Sequence, residues 1–188
     1  MKSQDCSKIS LVFIGFAAAI VLAGGRTANA DFIFGKAQNV GPPGGFGLGV
    51  SVTADQLELY SSSNRAGGLG ARDLWVTTRA SIDEEWGPPV NLGAPVDSQY
   101  NEVYPSVSAD GLTLYFSDYL AGMGAGDRPG GVGGHDIWMS TRSSRSDPWT
   151  APVNMGAPIN TSTEDMSPTI SHDGLTLIFA SNPSSAVG

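Results

Sequence analysis

Tyr104-Pro-Ser-Val-Ser-Ala-Asp-Gly-Leu-Thr-Leu-Tyr-Phe-Ser117 returns 63 positions later as Ser167-Pro-Thr-Ile-Ser-His-Asp-Gly-Leu-Thr-Leu-Ile-Phe-Ala180. In the same register Asp73-Leu-Trp75 returns as Asp136-Ile-Trp138, and Trp86-Gly-Pro-Pro-Val-Asn-Leu-Gly-Ala-Pro95 returns as Trp149-Thr-Ala-Pro-Val-Asn-Met-Gly-Ala-Pro158. Self-similarity at a fixed period of this size marks an array of small supersecondary units, each too small to bury its apolar face alone. The unit is therefore the place to read the fold.

Within the unit, Val107 and Ala109 alternate with serines, Asp110-Gly111 supplies residues suited to a tight turn, and Leu112, Leu114 and Phe116 alternate with Thr113 and Tyr115. That is a hairpin with one apolar face. After a Gly-rich loop, Asp136 to Thr141 reads as a third strand and Trp149 to Val153 as a short outer one, its prolines tolerable at a sheet edge. No stretch beyond the first thirty residues shows a helical period. The expectation is an all-β chain, a β-propeller of four-stranded antiparallel blades. About two and a half blades are expected: an outer strand at 34–43, blade one at 48–95, blade two at 104–158 and a half blade at 167–182. In the first unit Val50 to Tyr60 takes the place of the duplicated hairpin, with Asp55 standing for Asp110 and Asp173.

The first thirty residues read differently. Lys2 and Lys8 precede an apolar run from Ile9 to Leu22, and Ala28-Asn29-Ala30 supplies small residues for cleavage, so 1–30 is expected to be an export signal. The run is short for a membrane span, which needs about 20 apolar residues. Cleavage would leave 188 − 30 = 158 residues, enough for one domain, and would remove Cys6, the single cysteine. Three of the ten basic residues and one of the eighteen acidic ones lie in that segment, so the remainder carries 7 − 17 = −10. A negative surface argues against nucleic acid and anionic membrane as partners and suits a secreted or periplasmic product.

Pro-Ser-Val-Ser-Ala-Asp-Gly-Leu-Thr-Leu-Tyr-Phe, a Gly-rich loop and Asp-Ile-Trp together resemble the WD40-like PD40 repeat of TolB-type propellers. The likeness covers most of Phe34 to Asn182, and it implies an exported bacterial propeller. The first unit departs from the repeat with Gln56 at the turn glycine. Nothing resembles the separate α/β domain of TolB, so that protein's envelope role is not implied. Because propellers close with four or more blades, the order of strands predicts a fragment, or a piece that assembles with other copies.

Most repeated residues read as scaffold. Asp55, Asp110 and Asp173 are expected to brace turns, Asp73 and Asp136 to cap the third strand, and Trp75, Trp138, Trp86 and Trp149 to pack between sheets. Gly67 to Asp73 and Gly130 to Asp136 also resemble a nonapeptide calcium loop, with the aspartate one residue late. Calcium is a lesser alternative to a loop closed by hydrogen bonds, and no cofactor is expected. The two histidines lack a spaced partner, so no metal site is expected.

Non-repeating features carry the functional expectations. The segment between strands two and three is 8 residues longer in the second unit than in the first, which singles out Tyr119, Asp127, Arg128 and His135 for ligand contact. Glu102 and Asp165, 63 apart ahead of the inner strands, are candidate paired carboxylates. The function expected is a non-catalytic scaffold binding protein or polysaccharide. A propeller glycoside hydrolase or polysaccharide lyase is the alternative.

Overall fold

The computed structural model describes 47–118 and 128–182, together with two short strands earlier in the chain. Two compact units divide the chain, Met1–Pro43 and Gly44–Gly188. In the first, β1 (Leu11–Phe13) and β2 (Ala37–Asn39) pair in parallel, Leu11 opposite Ala37. The rest of the expected export signal and of the expected outer strand, like Tyr119 and Asp127, lies outside the described residues.

The second unit is all-β among the described residues. Its first sheet has the order β3 (Val50–Val52), β4 (Glu58–Ser63), β5 (Asp73–Thr78), β6 (Val90–Asn91), all antiparallel. A second has β7 (Glu102–Val107), β8 (Thr113–Asp118), β9 (Ile137–Thr141) and β10 (Val153–Asn154) in the same serial order. A third pair, β11 (Glu164–Ile170) with β12 (Leu177–Asn182), holds the second copy of the duplicated passage. Four-stranded antiparallel sheets are thus observed, and no sheet closes on itself. No helix among the described residues is long and apolar enough to cross a membrane.

The duplicated hairpin folds as its Asp-Gly pair predicts. Asp110 Oδ1 accepts from Ser108 Oγ (2.6 Å) and the Leu112 amide (2.9 Å), while Gly111 takes φ 78°. Asp173 repeats this with Ser171 (2.5 Å) and Leu175 (3.0 Å), and Asp55 with Thr53 (2.7 Å) and Leu57 (3.1 Å). The bonds from Ser108 and Leu112 hold the Asp110 carboxyl below the usual carboxylate range. At the divergent first turn, Gln56 adopts φ 61°, the left-handed conformation that glycine supplies in the other two.

Pro105 and Pro168 lie inside β7 and β11, where a proline would break an ordinary ladder. Each follows a bulge that absorbs it. The register of β7 shifts between Val103 and Ser106, and that of β11 between Met166 and Thr169. Tyr104 (φ 52°) and Ser167 (φ 57°) turn their amides out of the ladder, to Leu48 O (3.1 Å) and Ser117 Oγ (3.0 Å) of the preceding sheet.

Successive sheets pack face to face. β7 lies against β3, β4 and β5, and β11 against β7, β8 and β9. Tyr60, Leu74, Val96, Val107, Leu114, Phe116, Trp138 and Trp149 form the shared core. Serines cross the interface as well: Ser51 Oγ accepts the Val107 amide (2.9 Å), and Ser106 Oγ accepts the Ile170 amide (3.0 Å). The Ala54 amide reaches Ala109 O at 3.0 Å.

The segment just ahead of each third strand also passes a bond to the next sheet. Arg72 forms a parallel bridge with Asn101, and the Glu102 amide donates to Arg72 O (2.9 Å). His135 bridges Glu164 in the same way, and the Asp165 amide donates to His135 O (2.9 Å). The Gly-rich loops make room for this junction. A Cβ on Gly70 would collide with the Tyr100 carbonyl oxygen, and one on Gly133 with that of Thr163. Side chains are excluded because the neighbouring sheet's backbone occupies the space.

Candidate functional site

The densest group of ionisable side chains stands at the junction between the first two sheets. Asp73 opens β5, Glu102 opens β7, and Asp97 lies in the connection between β6 and β7. Their carboxylate oxygens lie within 4.8 Å of one another, and all three residues are buried. Each position follows from local chain geometry. The turn that begins at Gly93 (φ 67°) lets the Asp97 amide donate back to Gly93 O (2.9 Å), which aims the Asp97 carboxylate at the start of β5.

Every one of these carboxylates braces backbone. Asp73 Oδ1 accepts the Leu69 and Gly70 amides (2.9 and 3.0 Å). Asp97 accepts the Leu74 amide on Oδ1 (2.8 Å) and the Gly93 amide on Oδ2 (3.0 Å). Glu102 takes Ser98 Oγ on Oε1 (2.5 Å) and the Ser98 amide on Oε2 (3.3 Å).

Arg128 supplies the positive charge. Its Nη1 donates to Glu102 Oε1 at 3.0 Å, and its Nη2 donates to Val96 O at 3.1 Å. The guanidinium lies 5.0 Å from the Trp138 ring centre and 5.5 Å from that of Phe116. Arg128 thus meets one of the three carboxylates, Glu102, in a buried setting. Burial pushes Asp97 up to about 7, with Glu102 and Asp73 adding to the rise, and burial likewise pushes Glu102 up to about 7 against the opposing pull of Ser98 and Arg128.

The next junction repeats the pattern with one exchange. Asp136 accepts the Val132 amide (2.5 Å) and the Gly133 amide (3.2 Å), as Asp73 does in its own loop. Asn160 replaces Asp97. Its Oδ1 accepts the Ile137 amide (2.8 Å), and its Nδ2 donates to Ile137 O (2.9 Å) and Asn154 Oδ1 (2.7 Å). Asp165 replaces Glu102, with Oδ2 accepting the Thr161 amide (2.6 Å) and Thr161 Oγ1 (2.8 Å). Asp165 Oδ1 is buried and has no hydrogen-bond partner among the described residues.

Of the residues singled out for ligand contact, the structure brings together Glu102 and Arg128. Asp165 stands at the second junction beside His135, whose backbone is engaged there and whose side chain is buried. The eight extra residues are also located. Asp118 corresponds to Ser63 and Arg128 to Arg65, so the offset between the copies grows from 55 to 63 within 119–127. Arg128 and His135 therefore belong to the repeating part. Among the tryptophans, Trp75, Trp138 and Trp149 are buried and Trp86 is half-buried.

Two arginine pairs were missed in the sequence reading although the same 63-residue offset marks them. Arg65 stands over Trp75 (5.0 Å) as Arg128 does over Trp138. Arg79 stands over Trp86 (4.4 Å) and Arg142 over Trp149 (4.5 Å), each sending Nε at 2.8 Å to the carbonyl of the turn residue, Gln56 or Gly111. Arg142 further joins Glu58 of the first sheet at 2.6 Å.

As a metal centre the triad offers oxygens of the hard type that calcium takes, but calcium calls for about six to eight of them around one ion. Here amides and one guanidinium converge on the carboxylates instead. In the Gly-rich loops the same holds, since amide donors point at Asp73 and Asp136. No family model matches the chain, and no curated protein similar to it is found.

Proposed function

We propose that this chain is part of an exported β-propeller that serves as a non-catalytic scaffold, binding protein or polysaccharide in the periplasm or outside the cell. Four-stranded antiparallel sheets stacked in serial order are what a propeller is built from. The short bridges from just ahead of each third strand to the next sheet suit a radial array. The resemblance to the PD40 repeat and the signal-like first thirty residues support export.

The observation that carries the scaffold reading is the use made of the carboxylates. Asp73, Asp97, Glu102, Asp136 and Asp165 all accept backbone amides or neighbouring hydroxyls within the protein. The groups that recur from unit to unit hold sheets together, which leaves ligand recognition to the segments that do not recur, 119–127 foremost.

One observation favours a hydrolase or lyase: Asp97 and Glu102, close together, with both carboxyls raised to about 7, have the protonation of a general acid. Burial supports the scaffold reading instead: both residues are buried, and Arg128 pairs with Glu102.

A glycan array combined with a polysaccharide-degradation screen tests the proposal. The expected result is saturable binding that deletion of 119–127 abolishes, with no turnover. Turnover that disappears in a folded Glu102→Gln or Asp97→Asn variant would overturn it.

A further inference from the structure

Asp73, Asp97 and Glu102 converge on the seam between the first two sheets, each from a different stretch of chain, with carboxylate oxygens within 4.8 Å of one another. The other charged groups of the seam are few. Arg128, ahead of β9, spans it: Nη1 holds Glu102 of β7, and Nη2 holds Val96 O of the connection that carries Asp97. Asp97 itself is held by the Leu74 and Gly93 amides. On β8, Asp118 stands opposite Glu102 in the ladder and is buried too, its carboxylate taking the Asp136 amide and Trp138 Nε1. From ahead of β5, Arg72 lends its carbonyl oxygen to the Glu102 amide (2.9 Å).

Fully ionised, the triad would hold three negative charges within 4.8 Å in a buried place, with Arg128 paired to one of them. Protons relieve such repulsion, and so does parting the seam to admit water. Burial first, then neighbouring acids, holds Asp97 and Glu102 at about 7. These values exceed the ordinary 3.8 and 4.5, so the closed seam binds protons and is disfavoured as pH rises through 7. The ladders within each sheet join backbone to backbone and do not depend on these side chains. Opening can therefore stay local.

The second junction has the same build without the device. Asn160 stands where Asp97 stands and accepts the Ile137 amide at the same 2.8 Å, so its central group has no charge to gain.

We propose that the seam between the first two sheets is a pH-sensitive joint, closed while Asp97 and Glu102 carry protons and loosened, with both sheets intact, when they ionise. The joint opens toward alkaline pH. It is a local event, distinct from a uniform loss of stability.

Amide hydrogen exchange of the full chain, followed residue by residue by NMR from pH 5 to pH 8, tests this. Protection factors divide out the intrinsic pH dependence of exchange. Leu74 is compared with Ile137, and Glu102 with Asp165, because these amides make corresponding bonds 63 residues apart. Protection at Leu74 and Glu102 should fall about tenfold or more and return at pH 5, while Ile137 and Asp165 change less than about threefold. In the Asp97→Asn chain the fall at Leu74 should vanish. An equal fall at both junctions would overturn the proposal, since it would mean general destabilisation, and so would protection at Leu74 that ignores pH. A folded Asp97→Asn chain that keeps the full fall would overturn it as well. The comparison between junctions uses the unaltered chain, so a variant that fails to fold does not block the test.

Discussion

Asp97 accepts the Leu74 amide at 2.8 Å, and Asn160, 63 residues later, accepts the Ile137 amide at the same 2.8 Å. One structural task is done by a carboxylate at the first junction and by a neutral amide at the second. The second junction shows that the bond needs no charge, while the first confines one beside Glu102 and Asp73. Folding therefore binds protons there. The folded values of about 7 for Asp97 and Glu102 lie above the ordinary 3.8 and 4.5, so the contribution is complete below about pH 4 and is lost as pH rises through 7. The melting temperature should fall between pH 5 and 8, by the equivalent of roughly 2–4 kcal/mol, since each pKa unit is worth about 1.4 kcal/mol. Asp97→Asn should flatten that fall and exceed the parent in stability at pH 8. Calorimetric melting at several pH values checks both, and a variant less stable than the parent at every pH would contradict the account.

Arg128 and Glu102 form the charge pair at the heart of the first junction, with side chains 9% and 0% exposed. Removing the arginine strands a buried carboxylate beside two others. Arg128→Leu should cost about 3–5 kcal/mol at pH 7.5, and less at pH 5, where Glu102 is protonated in the parent as well. Arg128→Leu combined with Glu102→Gln should recover a large part of the loss. A double-mutant cycle by urea unfolding measures it, and additive losses would mean the two residues act independently.

Arg142 offers a graded comparison among ion pairs. It lies over Trp149 and joins Glu58 at 2.6 Å with both side chains nearly covered. Arg79, its counterpart 63 residues earlier, stacks on Trp86 and bonds two carbonyls. Arg145 meets Asp55 at 2.5 Å in the open, the side chains 31% and 41% exposed. Arg142→Ala should cost about 3 kcal/mol or more, and Arg145→Ala under about 1 kcal/mol, with Arg79→Ala between them. Denaturant midpoints of the three variants give the order, and added salt should weaken only the Arg145 effect.

The two Asp-aliphatic-Trp strands differ in one hydrogen bond. Trp138 Nε1 donates to Asp118 Oδ2 at 3.0 Å, whereas Trp75 Nε1 is buried without a partner among the described residues. The reason lies one strand away: where β8 ends in Asp118, β4 ends in Ser63, whose hydroxyl accepts from Arg65. Trp138→Phe leaves a buried carboxylate short of a donor and should cost about 2–3 kcal/mol. Trp75→Phe discards an unsatisfied donor and should cost at least about 1 kcal/mol less. Equal losses in thermal melts would show that ring packing alone sets the effect.

How far these relationships were legible in the sequence depends on what each residue does. The Asp110-Gly111 hairpin, the third strand and the short outer strand could be read because turn chemistry and alternation are local. Pro105 and Pro168 sit in strands because a bulge one residue earlier frees the ladder at that point, and nothing local in the chain announces a bulge. Glu102 and Asp165 stood out as a spaced pair, but their partners, Asp97, Arg128 and the amides of Ser98 and Thr161, come from connections whose course depends on two sheets packing together. The arginine pairs at the repeat offset were visible and carried a usable signal, since a cation recurring at a constant distance from a recurring tryptophan is a stacked pair. Asn160 against Asp97 was equally visible, yet its meaning required knowing that the two brace corresponding strands, β9 and β5.

Gln56 holds the turn position that Gly111 and Gly174 hold in the other two copies, and all three have left-handed φ, 61°, 78° and 72°. A residue with a Cβ pays for that conformation in strain, about 1 kcal/mol, while glycine reaches it freely. The Gln56 carbonyl also accepts Arg79 Nε at 2.8 Å, as Gly111 O accepts Arg142, so the turn must keep this shape to hold the arginine over its tryptophan. Gln56→Gly should therefore raise stability by roughly 0.5–1 kcal/mol despite the added freedom of the unfolded chain. The reverse exchange, Gly111→Gln, should do worse than strain alone requires. A Cβ at Gly111 would meet Arg145 Nε at 2.8 Å and Glu58 Oε2 at 3.2 Å, disturbing both arginine links to the first sheet. Chemical unfolding of both variants tests the pair, and a loss of stability in Gln56→Gly would show that the glutamine side chain contributes more there than its backbone strain costs.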